Sequence, residues 1–142
     1  MIREARPEDA VKIDWLYQIL LPEHTEVNVT PERIARIAGN ADSFLLVYEE
    51  LGKVVGSAHL HFCMDALSGE RPFAVIERVI IAPEFRGLGI GAKLMKHAED
   101  VAANRGALKV MLSSAMGRDG AHLFYEQLGY DGNSSKLFKK YL

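Results

Sequence analysis

The chain has 142 residues, 49% apolar and 25% charged, with a net charge of −2, which is the length and composition of one globular domain and excludes a general attraction to nucleic acid or anionic membrane. Its single cysteine, Cys63, excludes an internal disulfide and a Cys-rich zinc site. With no apolar signal core at Met1 to Arg6 and no stretch near the roughly 20 apolar residues that span a bilayer, the expectation is one domain, 1–142, in the cytoplasm, with Cys63 a reduced, small buried thiol.

A short strand is predicted near Ile2 to Ala5. Pro7 opens a first helix with Glu8 and Asp9 in its first turn and Val11, Leu16, Ile19 and Leu20 on its apolar side. Thr30-Pro31, a hydroxyl cap followed by proline, starts a second helix that Gly39-Asn40 stops. Strands Phe44 to Glu49 and Lys53 to Phe62 read as a hairpin turning at Gly52. The polar stretch Met64 to Arg71 is a loop. Pro72 to Ala82, rich in β-branched residues, reads as a central strand. A helix from Gly89 to Arg105 carries Ile90, Leu94, Met95, Ala98, Val101 and Ala102 at helical spacing, and Gly106 stops it. Ala107 to Ser113 is the next strand. Asp119 is expected to cap a last helix with Ala121, Phe124, Tyr125 and Leu128 on one side and Gly129 at its end; Lys136 to Leu142 closes the chain as a strand. The order β-α-α-β-β-β-α-β-α-β implies an α/β fold with a mixed sheet and helices on both faces.

The stretch Val79 to Leu94 runs from strand to glycine-rich turn to amphipathic helix. Glycines permit positive φ and close approach of a ligand, and the first N–H groups of a helix lack intrahelical acceptors. Arg86-Gly87-Leu88-Gly89-Ile90-Gly91 is therefore a candidate anion site suited to a pyrophosphate. No Lys-Ser or Lys-Thr follows, so a P-loop does not fit. Glycines spaced by two do not fit the dinucleotide fingerprint either. A plain tight turn is the bland alternative, weakened by the arginine, the Pro83-terminated strand and the helix that follows.

The run Arg86 to Gly91 resembles the Gln/Arg-x-x-Gly-x-Gly/Ala signature of the GNAT superfamily of acyl-CoA N-acyltransferases. Ala121-His122-Leu123-Phe124-Tyr125-Glu126-Gln127-Leu128-Gly129-Tyr130 is similar to that family's second signature. The resemblance implies a GNAT-like sheet of six to seven strands, mixed but mostly antiparallel, splayed between strands 4 and 5 and flanked by about four helices. It implies acetyl-CoA as co-substrate and no metal. Backbone groups of Val79, Ile80 and Ile81 would hold the pantetheine arm, and an N–H at Ile81 would face the oxyanion. Arg86, Gly87, Leu88, Gly89, Ile90, Gly91 and Ala92 would hold the pyrophosphate, chiefly through N–H groups. Tyr125 aligns with the tyrosine that protonates the departing thiolate, a role open to a phenol that is neutral at pH 7; its bland alternative is a core aromatic. Where related enzymes often carry an asparagine before the last helix, this chain has Ser113-Ser114 and Arg118.

Glu77 lies in an otherwise apolar strand, where a carboxylate needs a partner or a purpose. In several members of the resembled family a glutamate here takes a proton from the amine. The alternative is an ion pair, but not with Arg78, since strand neighbours point to opposite faces. Arg78 disfavours a polyamine and, if it faces the acceptor, favours one with an acidic group. His59 and His61 share a face; with no third ligand evident they read as hydrogen-bonded histidines or as part of the acceptor wall. Met64 to Arg71 and the connection Leu21 to Val29 are expected to border the acceptor groove. The expected activity is transfer of an acetyl group to the primary amine of a small molecule by direct attack in a ternary complex, by a cytoplasmic homodimer. A non-catalytic acetyl-CoA sensor and a protein or peptide amine acetyltransferase are the alternatives.

Overall fold

Leu51 (φ 50°) and Gly52 (φ 76°) form a two-residue turn with both φ values positive. That turn matches the twist of antiparallel strands, and it sets Glu50 opposite Lys53. The hairpin it closes, β2 (Ser43–Glu50) and β3 (Lys53–Cys63), is the middle of the sheet. The computed structural model describes residues 1–23 and 26–142. Around the hairpin the strand order is β1 (Ile2–Glu4), β2, β3, β4 (Phe73–Ile81) and β5 (Val110–Met111). The first four strands are antiparallel, and β4 and β5 are parallel. Helices α1 (Ala10–Leu20), α2 (Pro31–Ala38), α3 (Ile90–Asn104) and α4 (Asp119–Gln127) complete the elements. The chain divides into two units, Met1–Met111 and Leu112–Leu142.

In the first unit the sheet is covered on both faces. Leu45 to Tyr48 and Val54 to Ala58 are buried without interruption, the pattern of strands sandwiched between helices. From Gly56 onward, even-numbered β3 residues face α3: a Cβ on Gly56 would lie 2.7 Å from Ile81 Cδ1 and 3.2 Å from Leu94 Cδ1. Glycine there lets β3, β4 and α3 close up. Odd-numbered residues from Ser57 onward face α1 and α2, where His59 shares a cavity wall with Tyr17 and Ile34. Thr30 Oγ1 accepts the Arg33 N–H (3.2 Å) and so caps α2 as expected.

Several expectations are corrected. Among the described residues the sheet has five strands, not six to seven. Lys136 to Leu142 forms no strand, and Leu137, Phe138 and Tyr141 are exposed; its apolar residues fall on both sides of any extended chain, so neither side offers a face to bury. The strand expected over Ala107 to Ser113 is only Val110–Met111, paired with Ala74 and Val75. Val11 is 84% exposed. Pro7–Asp9 forms a 3-10 turn, and the helix after it buries Ala10, Ile13 and Leu16 at three-residue spacing. Asp119 is the first residue of α4 rather than its cap. Cys63 is half-buried at the end of β3. No helix among the described residues is long and apolar enough to cross a membrane.

Candidate active site

Pairing between β4 and β5 stops after Ala74 and Val75, while β4 continues to Ile81. The edge of β4 beyond Val75 therefore has no ladder partner on the β5 side among the described residues, as the splay requires. The Ala82 N–H donates to Val55 O of β3 (2.8 Å). Alternate residues turn their polar groups to opposite edges, so those of Ile81 face the open edge. The Ile81 carbonyl there accepts from Arg86 Nε (3.0 Å).

Pro83–Phe85 then makes a 3-10 turn, and Gly87 and Gly89 follow at φ 77° and 80°. No atom lies within 4 Å of where a Cβ would sit on either glycine. The left-handed backbone, not crowding, demands glycine there. Arg86 to Gly89 are exposed and Ile90 is buried, so the turn is anchored by the helix and open on its outer side. The first bond into α3 is Lys93 N–H to Gly89 O (3.1 Å). Among the described residues, the N–H groups of Gly87, Leu88, Gly89, Ile90, Gly91 and Ala92 have no acceptor. Six consecutive free donors at the positive end of a 15-residue helix are a site for an anion. The donor set fits a pyrophosphate, the group that the resemblance leads one to expect there.

The opposite face of β4 departs from regular alternation. Ser57 pairs with Ile80 and His59 with Glu77, so Arg78 and Val79 together oppose Ala58. This is a bulge, with Arg78 at φ 56°. It overturns the premise that Glu77 and Arg78 point to opposite faces. Arg78 lines the α1–α2 side with His59, and Glu77 stands in register with His59 on that side. None of the ion pairs among the described residues joins Glu77 to Arg78.

A cavity of about 260 Å³ opens here, with Tyr17, Arg33, Leu45, His59 and Arg78 in its wall. Leu21 and Glu26 to Val29, in the connection between α1 and α2, also line it; His24 and Thr25 lie outside the described residues. Met64 to Arg71 contributes nothing to this lining. His59 Nε2 lies 2.7 Å from Ser43 Oγ, and the His59 and His61 rings lie 3.9 Å apart. Burial, reinforced by His61 and Arg78, pushes His59 down to about 4. Burial also lowers His61, with Glu77 opposing. The Tyr17 phenol is pushed up to about 12, mostly by burial. Among the described residues, the wall thus combines neutral hydrogen-bonding groups with two guanidinium ions and one acidic side chain, Glu26.

Tyr125 belongs to the second unit, on α4. Its ring meets Phe124 (5.1 Å) and Tyr130 (6.1 Å) edge to face. The Tyr130 N–H returns to Tyr125 O (3.1 Å) around Gly129 at φ 94°, which ends the helix. Burial raises the Tyr125 phenol above its ordinary value, and Arg118 opposes the shift. It is neutral at pH 7, the form able to donate a proton.

Sequence reasoning missed the bulge, and with it Tyr17 and Arg33 as cavity walls. Two adjacent charges inside the apolar run Val75 to Ile81 were the signal available for the bulge. No local signal marks Tyr17 or Arg33.

Residues 13–130 match the acetyltransferase (GNAT) family. A glucosamine 6-phosphate N-acetyltransferase of Trypanosoma brucei brucei is 30% identical over 90 residues, 63% of this chain and 59% of that protein. The chain therefore spans about three-fifths of that relative's length. An uncharacterised N-acetyltransferase of Bacillus subtilis (strain 168) is 26% identical over 133 residues, 92% of this chain and 89% of its own. A solved structure from Agrobacterium tumefaciens str. C58 superposes with a TM-score of 0.89 at 29% identity, covering 99% of each chain.

Proposed function

The chain belongs to the acetyltransferase (GNAT) family, and on that premise we propose that it transfers an acetyl group from acetyl-CoA to the primary amine of a small molecule. The observation that carries this reading is the β4–α3 turn, with six free N–H groups beside the open edge of β4. A small-molecule acceptor is supported by the size of the cavity, near the low end of ligand pockets at about 300 Å³, and by the sugar phosphate in the name of the trypanosomal relative. The family match runs through both units, which supports reading 1–142 as one acetyltransferase domain. We take it to be a cytoplasmic homodimer, a state that sedimentation equilibrium tests.

Acetyl-CoA, when bound, supplies the thioester carbonyl that the amine attacks, the C–N bond forming and the C–S bond breaking. In this proposal Gly87 to Ala92 hold the pyrophosphate through their N–H groups, with Arg86 beside them. Val79, Ile80 and Ile81 align the pantetheine arm, and the Ile81 N–H on the open edge meets the carbonyl oxygen. The Glu77 carboxylate takes the proton that leaves the ammonium, directly or through water. The Tyr125 hydroxyl gives its proton to the departing sulfur; its match to the family signature, rather than its position, supports that role.

Thiol release from acetyl-CoA over a panel of small amines tests the activity. Tight acetyl-CoA binding with no turnover on any amine, peptide or protein lysine would favour a sensor instead. Tyr125→Phe and Glu77→Gln are each expected to lower kcat by about 100-fold or more, the range for general acid–base groups, with little change in acetyl-CoA affinity. A Tyr125→Phe rate equal to wild type at every pH removes Tyr125 from the mechanism.

A further inference from the structure

Among the described residues, four arginines have engaged guanidiniums. Arg3 binds Asp9 and Glu49, Arg71 the carbonyls of Gly106 and Ala107, Arg86 that of Ile81, and Arg105 both Asp42 and the Ala41 carbonyl. Arg33 and Arg78, which line the same cavity, make no side-chain hydrogen bond or ion pair with any described residue. Each comes from a different element. Arg33 is on the first turn of α2, held by the Thr30 cap. Arg78 is turned to this face by the bulge, at φ 56°.

A non-glycine residue in the left-handed region inside a strand is held against its own preference. Bulges of this kind re-aim a side chain next to a site. Two guanidinium forks, each with paired N–H donors, bind the oxygens of a phosphate, phosphonate or carboxylate bidentately. Among the described residues of the wall Glu26 is the single acid beside two arginines, which leaves that lining net positive.

We propose that Arg33 and Arg78 form an anion subsite in the acceptor cavity, so that the amine acetylated here also carries a phosphate, phosphonate or carboxylate group. The proposal rests on the acetyltransferase reading for the identity of the cavity. In it the anion lies between α2 and the bulge while the amine end points along β4 toward Glu77. Tyr17 and His59, both neutral at pH 7, complete the wall with polar edges that do not repel an ammonium.

Matched acceptor pairs test it: 2-aminoethyl phosphate against ethanolamine, and β-alanine against its amide, read as thiol release from acetyl-CoA. The expected kcat/KM for each anionic member is at least about tenfold above its neutral partner, as for charge-assisted hydrogen bonds. The two pairs separate a preference for phosphate from one for carboxylate. Arg33→Glu and Arg78→Asn should each reduce that ratio by about tenfold or more through the KM of the amine. Asparagine is chosen at 78 because it accepts the left-handed backbone. If Arg78→Asn does not fold, Arg33→Glu decides alone. A wild-type ratio of one or below, or a ratio unmoved by the variants, overturns the proposal while leaving the transferase reading intact. If no amine releases thiol, that reading fails instead. Inorganic phosphate titrated calorimetrically into CoA-saturated protein then decides: saturable binding lost in the variants supports the subsite. No binding to wild type, or binding that the variants do not alter, overturns it.

Discussion

The two sides of β4 offer different parts of the chain to the ligands proposed for them. On the α3 side the proposed contacts are backbone: six N–H groups from Gly87 to Ala92 and the polar groups of Ile81 at an unpaired edge. On the α1–α2 side they are side chains, brought from α1, α2, β3 and the bulge in β4. Backbone donors at a helix start suit a ligand common to a whole family, because they tolerate change in most side chains around them. Side chains collected from four elements suit an acceptor that varies from one member to the next. In this reading one strand carries a backbone-lined side and a side-chain-lined one.

The comparison breaks most visibly at the glycines. Gly87→Val with Gly89→Val forces β-branched residues to φ near 80°, at about 1–3 kcal/mol for each strained position. No neighbour lies within 4 Å of either Cβ, so the effect is conformational and falls on the N–H array. Acetyl-CoA affinity measured by calorimetry should fall by about 100-fold or more, about 2.7 kcal/mol. An affinity within about threefold of wild type would mean that the backbone of this turn is not the ligand.

His59 sharpens the other side. Its folded value of about 4 lies below the ordinary 6.5. Between those two pH values the unfolded chain holds a proton that the fold excludes, so stability rises with pH across the window. The stabilisation is complete above pH 6.5 and is lost as pH falls toward 4. With some allowance for partial solvent access, the loss should be about 2 kcal/mol. Urea unfolding at pH 7, 5.5 and 4.5 measures it, and His59→Gln should flatten the curve. An equal slope in wild type and variant would assign the acid sensitivity elsewhere, His61 first.

The same division explains what the sequence disclosed. The α3 side is contiguous: strand end, Pro83, glycines and helix fall within Val79 to Leu94, and each has a local rule. Both ends of α2 and the hairpin turn at Gly52 were legible for the same reason. The cavity was not, because Tyr17, Arg33, His59 and Arg78 are separated by up to 61 positions between Tyr17 and Arg78. Alternation, applied rigidly, set Glu77 and Arg78 on opposite faces; one extra residue in β4 reversed that. The final strand failed for a different reason, since Lys136 to Leu142 has strand-like residues but no face that is apolar throughout.

The smallest effect asks whether the two sides are independent. Thr30→Ala removes the acceptor of the Arg33 N–H and with it the side-chain cap of an eight-residue helix. So short a helix depends on its cap and its packing, and the cost should be about 1 kcal/mol in thermal or urea unfolding. Arg33 is the residue whose backbone that cap fixes, so its guanidinium loses definition while Arg78 keeps its own. The KM of an anionic amine should rise by about two- to fivefold, a fraction of a charge-assisted contact. The KM of acetyl-CoA should stay where it was, because α3 and the glycine turn share no hydrogen bond with α2 among the described residues. A matching rise in both would show that loosening α2 is felt across the sheet, and the two faces of β4 would then have to be treated as one coupled site.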